Sequence, residues 1–404
     1  MAHTHVPQTP GAATAAPHDQ RRHRDRHHDP HHHPHDDRPG PVRRALRAWP
    51  AWTPYAAATW SLAYCALATS WALGAPGYPF DPAADPDNDT GLLWYADRDV
   101  AAATIAVLCL AGFAVAGLVA RRRAGSPGPA LARALAGFGG LAAVTLTVVL
   151  PDQRVLAALG YLPIVVVGLP WGFPPVSYAE AWPWPVLDQV LLMLGGALWA
   201  ATALVAARHG MAACETCGRP AGRDAGAGAE GRAHWTSPER ARRWGRVAVG
   251  VAAAVPVLYA LDRLAWLVGV NLGISDELVS TVKDTDLRYA ALGLALGALG
   301  GAVLTLGLAQ RWGEVFPRWL PGLRGRRVPP ALAIVPASVV AVAVTSAGLT
   351  VDRLLLTRSG TLPTEDLGAL VPMVPWPLWG VALGAATLAY HLRRRGQCRV
   401  CHRG

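Results

Sequence analysis

Two short cysteine motifs have residue types and spacing that suit metal chemistry. Cys214 and Cys217 form one Cys-x-x-Cys pair, and Cys398 and Cys401 form another. A pair of this kind with glycine or basic residues beside it is the usual half of a tetrahedral four-cysteine zinc site. Each pair also follows a long apolar segment and a short basic stretch. The sequence therefore predicts that the two pairs together hold one structural zinc ion.

The same cysteines allow two other interpretations. They could act as redox or metal-sensing dithiols, because nearby arginine stabilises a thiolate, or they could remain thiols without a metal. A cytosolic location keeps such pairs reduced, and nothing around them indicates a thioredoxin-like fold, so structural zinc is favoured. His209, His391 and His402 could substitute as ligands, but their positions at helix ends favour an interfacial role. Cys65 and Cys109 lie alone in apolar segments, where a thiol usually serves as a small buried hydrophobe.

The segments that position these motifs are apolar and long enough to cross a membrane. The chain is 52% hydrophobic and only 16% charged. Its apolar blocks of roughly 18 to 25 residues match a hydrocarbon core about 30 Å thick. We therefore expect an all-α, polytopic helical membrane protein with about eight transmembrane helices. The predicted spans are residues 52–73, 100–120, 134–150, 186–207, 247–267, 289–309, 331–349 and 377–391.

Arginine residues collect beside the apolar blocks, as the positive-inside rule requires. This placement argues against nucleic acid as a partner and makes the lipid bilayer the expected surroundings; no protein partner is predicted. The first ~40 residues are polar, so the first span should act as an uncleaved signal anchor. The predicted location is the inner (plasma) membrane, with both termini and both cysteine pairs in the cytoplasm.

Three segments between or before the spans have distinct compositions. Residues 1–43 are rich in His and Arg and read as a disordered cytoplasmic tail, which could bind metal or be a low-complexity tract. An Asp-rich run at 85–91 resembles a calcium loop, but Thr90 and Ala96 stand where Gly and Glu are required, which favours a solvated turn. Residues 155–185 are broken by prolines. We interpret them as an external re-entrant or interfacial segment, because a crossing there would leave the arginine-rich loop outside.

The chain reads as two similar halves. A first four-span repeat (44–217) is joined by a linker (218–244) to a second (245–404). With an even number of spans, the two repeats are parallel and related by a pseudo-two-fold axis along the membrane normal. That axis would bring the two cysteine pairs together, so that zinc joins the halves. Matching positions are Tyr64 with Tyr259, Trp71 with Trp266, Gly74 with Gly269, and Thr202 with Thr387.

A second candidate site consists of charged residues near the outer ends of the spans. Asp262 and Arg263 are the most deeply embedded charges, and such residues are costly in a membrane unless paired. Together with other charges they are predicted to form a polar cluster for a cation or polar ligand. The alternative is that Asp-x-Asp pairs cap helices and that Asp and Arg form local ion pairs. The other members are Asp97, Asp99, Asp152, Asp284, Asp286, Asp352 and Arg353.

One stretch carries a resemblance to known proteins. Residues 64–74 contain the element Trp71-Ala72-Leu73-Gly74 and run on to Gly77-Tyr78-Pro79-Phe80. This stretch of sequence resembles multi-pass membrane proteins of high-GC actinobacteria that share a W-A-L-G element after the first helix. The resemblance implies the membrane class and brings no assigned activity.

No catalytic signature is visible, and no residue is assigned a catalytic role. The chain lacks HExxH, a Walker A loop, GxSxG and a nucleotide-binding glycine fingerprint in a suitable context. A non-enzymatic carrier or membrane scaffold with a structural zinc knuckle is therefore the expected function. The alternative is a membrane-bound enzyme or a redox or metal sensor that uses the cytoplasmic CxxC pairs.

Overall fold

The computed structural model describes residues 40–83, 91–121, 128–168, 182–219, 234–285, 287–318, 322–358 and 364–402. Within these ranges the regular structure is helical, with one isolated bridge between Val315 and Arg327. Short 3-10 turns occupy His234–Thr236, Arg311–Gly313, Thr364–Ala369 and Val371–Met373. The longer helices are α1 (Pro41–Arg47), α2 (Trp49–Ala72), α3 (Arg98–Arg121), α4 (Pro129–Val144, continued by a π-turn, Thr145–Val149), α5 (Gln153–Gly168), α6 (Trp184–Gly210), α7 (Pro238–Leu267), α8 (Asp276–Asp284), α9 (Leu287–Gly307), α10 (Pro330–Arg358) and α11 (Trp376–Arg394).

Among the described residues, 7 helical segments are long and apolar enough to cross a membrane. They are α3, α4 with its π-turn, α6, α7, α9, α10 and the segment Leu367–Arg394 that contains α11. The fold is that of an all-α polytopic membrane protein, which confirms the predicted fold class. Helix α2 coincides with the predicted first span but is not among these 7 segments, because Trp, Tyr, Thr and Ser side chains lower its hydropathy. Membrane crossing by α2, which would bring the number of spans to eight, therefore remains a prediction.

Helix boundaries differ from the predicted spans at several points. Helix α7 begins at Pro238, where the Ser237 side chain accepts a hydrogen bond from the Arg240 backbone N–H. The last residues of the predicted linker are therefore helical. Helix α10 continues to Arg358. The predicted re-entrant segment, residues 155–185, contains α5 except for its first two residues. Its residues 169–181 lie outside the described ranges, as do the Asp-rich run at 84–90, most of the N-terminal tail and linker residues 220–233.

The two halves use the same pattern of helix contacts. In the first half α2 packs on α3 and α6, and α4 packs on α6. In the second half α7 packs on α9 and α11, and α10 packs on α11. The halves also meet directly, because α10 packs against α5 and the π-turn. Residues up to Leu46, which include most of α1, form a separate unit.

Helices α2 and α7 end in the same backbone turn. Gly74 has φ +90° and Gly269 has φ +84°. The Gly74 N–H donates to the Trp71 carbonyl at 3.0 Å, and the Gly269 N–H donates to the Trp266 carbonyl at 3.0 Å. In each case the next N–H donates five residues back, from Ala75 or Val270. This is a Schellman C-cap, which favours glycine because other residues are strained at positive φ.

The helical bundle has two ends that differ in composition. The cysteine end contains residues 208–219 and 391–402, together with the starts of α4 and α7. There Gly210 of α6 lies against Ala132 of α4, and Gly245 of α7 lies against Ala389 of α11. The opposite end contains the last turns of α2, α7 and α10 and the first turns of α6 and α11.

Candidate metal centre

The two cysteine motifs adopt the same local turn. After α6, the Gly218 N–H donates to the Cys214 carbonyl at 2.8 Å, and Gly218 has φ +72°. After α11, the His402 N–H donates to the Cys398 carbonyl at 2.8 Å, and His402 has φ +54°. A second bond in the first motif, from the Cys214 N–H to the Arg219 carbonyl at 2.8 Å, closes its loop. Each turn thus folds its two thiols toward the same side.

The four sulfur atoms converge. All four Sγ atoms lie within 4.8 Å of one another. Cys214 Sγ lies 4.0 Å from Cys398 Sγ, and Cys217 Sγ lies 3.5 Å from Cys401 Sγ. Zinc–sulfur bonds of about 2.3 Å place tetrahedral sulfurs about 3.8 Å apart, so the spacing and the all-thiol donor set fit a four-cysteine metal ion. Both of these pairs join the two halves of the chain.

Backbone N–H groups of the second turn support a thiolate. Val400 and Cys401 donate backbone N–H hydrogen bonds to the Cys398 sulfur and lower the pKa of that thiol to about 6. A donor that bonds to the charged form favours ionisation. Because metals bind the thiolate form of cysteine, the backbone hydrogen bonds of this turn favour metal binding.

Arginine side chains brace the two turns and surround the sulfurs with positive charge. Arg208 Nη1 donates to the carbonyls of Glu215 and Thr216, the latter at 3.2 Å. Arg219 Nη1 donates to the Gly396 carbonyl at 3.2 Å and so joins the first turn to the second. The pKa of Arg395 is lowered by burial and by the neighbouring Arg219 guanidinium. A zinc ion with four thiolates has a net charge of about −2, which these arginines would balance.

The histidines considered as substitute ligands have other contacts at two of the three positions. His209 Nε2 lies 2.8 Å from Glu215 Oε1, in an ion pair when the ring is protonated. His402 supplies the backbone N–H of the second turn. The metal-ligand group found in the described part of the chain therefore consists of the four cysteines.

At the opposite end, Asp262 and Arg263 are buried and pair with each other. Arg263 Nη1 lies 3.4 Å from Asp262 Oδ2, and Arg263 Nη2 donates to the Ala369 carbonyl at 3.1 Å. The guanidinium carbon also lies 4.0 Å from the ring centre of Trp266 and 4.7 Å from that of Tyr259. Arg263 is thus held on several sides, and it links the end of α7 to the segment before α11.

Of the two Asp-x-Asp motifs, the structure describes the side chains of the first, Asp97 and Asp99, but not those of the second, Asp284 and Asp286. Asp97 Oδ1 accepts hydrogen bonds from the backbone N–H groups of Asp99 and Val100, both at 3.1 Å, so it caps α3. Asp99 is exposed in the first turn of α3. Asp286 and the side chain of Asp284 lie outside the described part of the structure. Helix capping, the alternative interpretation, therefore accounts for Asp97.

Two buried polar residues at the start of α6 were not predicted as site residues. Asp188 is fully buried, and the Tyr64 hydroxyl of α2 donates to its Oδ1 at 2.9 Å. Gln189 Nε2 donates to Asp152 Oδ2 at 2.7 Å, and Arg154 pairs with the same carboxylate at 2.7 Å. Asp188 lies within a predicted span. An ionisable residue in that position was the signal that could have identified it.

The predicted residues Asp352 and Arg353 lie where the two halves meet. Arg353 Nη1 donates to the Val149 carbonyl at 3.3 Å, and Arg353 also lies near Asp152. Ser346 Oγ donates to the Pro151 carbonyl at 2.6 Å. These bonds bind α10 to carbonyl groups at the end of the π-turn. Asp152 and Arg353 are therefore brought together, whereas Asp262 and Arg263 form a separate pair.

The geometry defines a class: an all-α polytopic membrane protein with a four-cysteine centre that joins two parts of one chain. No protein-family model, no curated protein and no solved structure matches this chain. A function is therefore inferred from the four-cysteine group and the helix arrangement.

Proposed function

We propose that the protein is a non-enzymatic membrane scaffold or carrier whose two halves are joined by one structural zinc ion. The observation that carries this proposal is the convergence of four thiols from two motifs 184 residues apart. Zinc binds such a set in a closed tetrahedron, which has no open position for catalysis. When bound, the ion would supply cross-linking between the end of α6 and the end of α11.

Similarities between the two halves support an internal duplication with parallel halves. The predicted matches behave alike, because Gly74 and Gly269 form the same C-cap. Thr202 and Thr387 are both buried and donate to the carbonyl four residues back, at 2.9 Å and 2.8 Å. The two metal turns share one hydrogen bond and one positive φ, and the helix contacts repeat in order. In this proposal the repeats are residues 44–217 and 245–404, related by a pseudo-two-fold axis.

The distribution of charge supports an orientation. The cysteine end carries an excess of arginine, including the exposed Arg240, Arg242 and Arg243 at the start of α7. The opposite end carries most of the aspartates of the described residues. By the positive-inside rule the cysteine end faces the cytoplasm, where thiols stay reduced and available to zinc. Kinship with the actinobacterial multi-pass proteins that share the W-A-L-G element belongs to the same proposal.

Packing around the buried charges favours the scaffold form over the carrier form. Arg263 is held by Asp262, by a backbone carbonyl and by two aromatic rings, which suits a fixed structural contact. Within the described part of the chain, the Asp152–Gln189–Arg353 group at the junction of the halves is the remaining place for a carrier's polar path. A carrier would require these residues to exchange partners, whereas a scaffold would keep them paired.

A redox or metal-sensing role is the second candidate, and one observation favours it. The sulfurs of Cys217 and Cys401 are 3.5 Å apart, and the two residues belong to different halves. Loss of the metal followed by oxidation would link the halves covalently. This role requires the metal to leave under cellular conditions, which a structural site resists.

The zinc content of the purified protein tests the proposal. Because the His-rich tail can bind metal, the full chain and a chain lacking residues 1–40 are compared. We expect about one zinc per chain in both after removal of loosely bound metal, and four thiols that react only after chelation. The double variant Cys214→Ser/Cys217→Ser should lose the zinc, and the control Cys65→Ser/Cys109→Ser should keep it.

Two results would contradict the zinc proposal. One is a metal-free protein whose four thiols react without a chelator. The other is a metal-free protein with a disulfide between Cys217 and Cys401, which would make the redox role the leading function. Both measurements are repeated in the Cys65→Ser/Cys109→Ser variant, so that the reactive thiols counted belong to the two Cys-x-x-Cys motifs.

A further inference from the structure

A large apolar crevice lies between α9 and α10 in the second half. Helix α9 packs on α7 and α10 packs on α11, which leaves a gap of about 410 Å³ between α9 and α10. Its lining includes Gly301, Leu304, Leu332, Ala337 and Val340. Leu304 and Leu332 are 69% and 59% exposed, so the crevice opens on the face that meets lipid. The volume falls in the usual range for ligand pockets.

A short hairpin closes the crevice at the cysteine end. Val315 and Arg327 form an antiparallel bridge, and the Val328 N–H donates to the Glu314 carbonyl at 3.0 Å. Trp312, Phe316, Pro317 and Val328 of this hairpin line the crevice. The hairpin, defined here as residues 311–318 and 322–328, therefore has one apolar face that continues the crevice wall.

The same hairpin is strongly basic. Its acidic residue Glu314 is neutralised by Arg393, with Arg393 Nη1 3.0 Å from Glu314 Oε1. Three exposed arginines are chain neighbours of lining residues, since Arg311 precedes Trp312, Arg318 follows Pro317 and Arg327 precedes Val328. The remaining exposed arginines of the hairpin are Arg324 and Arg326. An apolar slot thus ends beside a patch of positive charge at the membrane surface.

We propose that the crevice and the hairpin bind one anionic phospholipid from the leaflet at the cysteine end. An acyl chain occupies the slot, because an apolar gap in a membrane excludes water and is in contact with lipid tails. The phosphate-bearing headgroup lies on the hairpin arginines. Basic pockets between helices at the membrane surface select anionic headgroups in this way. The proposal depends on insertion in a membrane and not on the identity of the metal.

The test measures lipid retention by the full-length protein. The protein is placed in phosphatidylcholine nanodiscs with a varied fraction of phosphatidylglycerol, and bound lipid is measured by native mass spectrometry after extraction. We expect about one phosphatidylglycerol per chain to be retained over phosphatidylcholine. Equal retention of both lipids would overturn the proposal, because a merely apolar slot does not select a headgroup charge.

The arginines are tested by charge neutralisation with a matched control. The triple variant Arg311→Gln/Arg318→Gln/Arg327→Gln should weaken phosphatidylglycerol binding on the order of 100-fold, since each arginine contributes several-fold. The control Arg240→Gln/Arg242→Gln/Arg243→Gln removes the same charge from exposed positions at the start of α7. Binding that is unchanged in the hairpin variant, or lost equally in the control, would overturn the proposal.

The slot is tested by filling it. Ala337→Phe places a ring in the crevice and should release the lipid while the zinc content stays unchanged. Ala142→Phe is the matched control, since Ala142 lines a smaller crevice of about 180 Å³ in the first half. Retention of wild-type binding by a folded Ala337→Phe protein would overturn the acyl-chain assignment. If that variant fails to fold, the arginine variants decide.

Discussion

Asp188 is a fully buried carboxyl group in a helix that can span the membrane. Its partner is the Tyr64 hydroxyl, and Tyr64 stacks on Trp60 with ring centres 5.0 Å apart. The hydrogen bond joins α6 to α2, which are the fourth and first predicted spans of the first half. A buried polar group in this position is costly unless it is hydrogen-bonded, so each residue depends on the other.

Replacement of Asp188 should therefore destabilise the fold. Asp188→Leu leaves the Tyr64 hydroxyl without its acceptor, and we expect the free energy of unfolding to fall by about 1–3 kcal/mol. Asp188→Asn keeps an acceptor and should cost less. Thermal unfolding in detergent measures both. The exposed Asp99→Asn serves as the control; a loss there as large as in Asp188→Leu would refute the assignment.

The Asp262–Arg263 pair gives a second prediction, which compares how far Arg263→Ala and Asp262→Ala lower the unfolding temperature. Arg263→Ala removes a backbone hydrogen bond and two ring contacts as well as the ion pair. Asp262→Ala removes only the pair, and Arg263 keeps its contacts with Ala369 and Trp266. We expect the arginine variant to lower the unfolding temperature more. The reverse order would mean that the aromatic contacts contribute little.

Sequence reasoning succeeds for residues whose partners are encoded locally. The cysteines were found because the spacing of two ligands within one turn is a feature of metal sites. Asp188 and Gln189 were missed because their burial depends on Tyr64, 124 residues earlier, and on Asp152, 37 residues earlier. Arg353 was predicted as a site residue, but its contacts with Val149 and Asp152 in the other half of the chain were not.

At the scale of elements, the apolar runs alone place most of the helices. The start of α7 was predicted too late because Arg240, Arg242 and Arg243 resemble a linker, although Ser237 provides a helix cap. Helix α5 was obscured by a proline at 163 inside the apolar stretch. Contacts between helices could not be read from the sequence, because small residues such as Ala and Gly permit many pairings.

The shared C-cap of α2 and α7 makes a prediction for both halves. Gly74→Ala and Gly269→Ala should each cost about 1–2 kcal/mol, because a side chain is strained at positive φ. Gly250→Ala is the control, since Gly250 lies in α7 with open space around its Cα and alanine favours helix. Thermal unfolding of the three variants checks this; equal behaviour of all three would remove the C-cap as a cause.

At the scale of the whole molecule, the charge asymmetry between the two ends predicts the topology. In a background lacking Cys65 and Cys109, a new thiol is introduced at exposed positions, either Arg242→Cys at the start of α7 or Thr285→Cys after α8. An impermeant thiol reagent should label the Thr285 variant in intact cells and the Arg242 variant only after lysis. Labelling in the opposite order would invert the proposed orientation.

The spacing between the two halves of the metal centre also has a consequence for how the protein is made. The thiols of Cys214 and Cys217 are synthesised 184 residues before their partners. At 5–20 residues per second, the first turn waits about 10–40 s before the four-cysteine group can form. During that time its two thiols are open to stray metals and oxidants. A ribosome that stalls between the two motifs would therefore leave a nascent chain with a reactive dithiol.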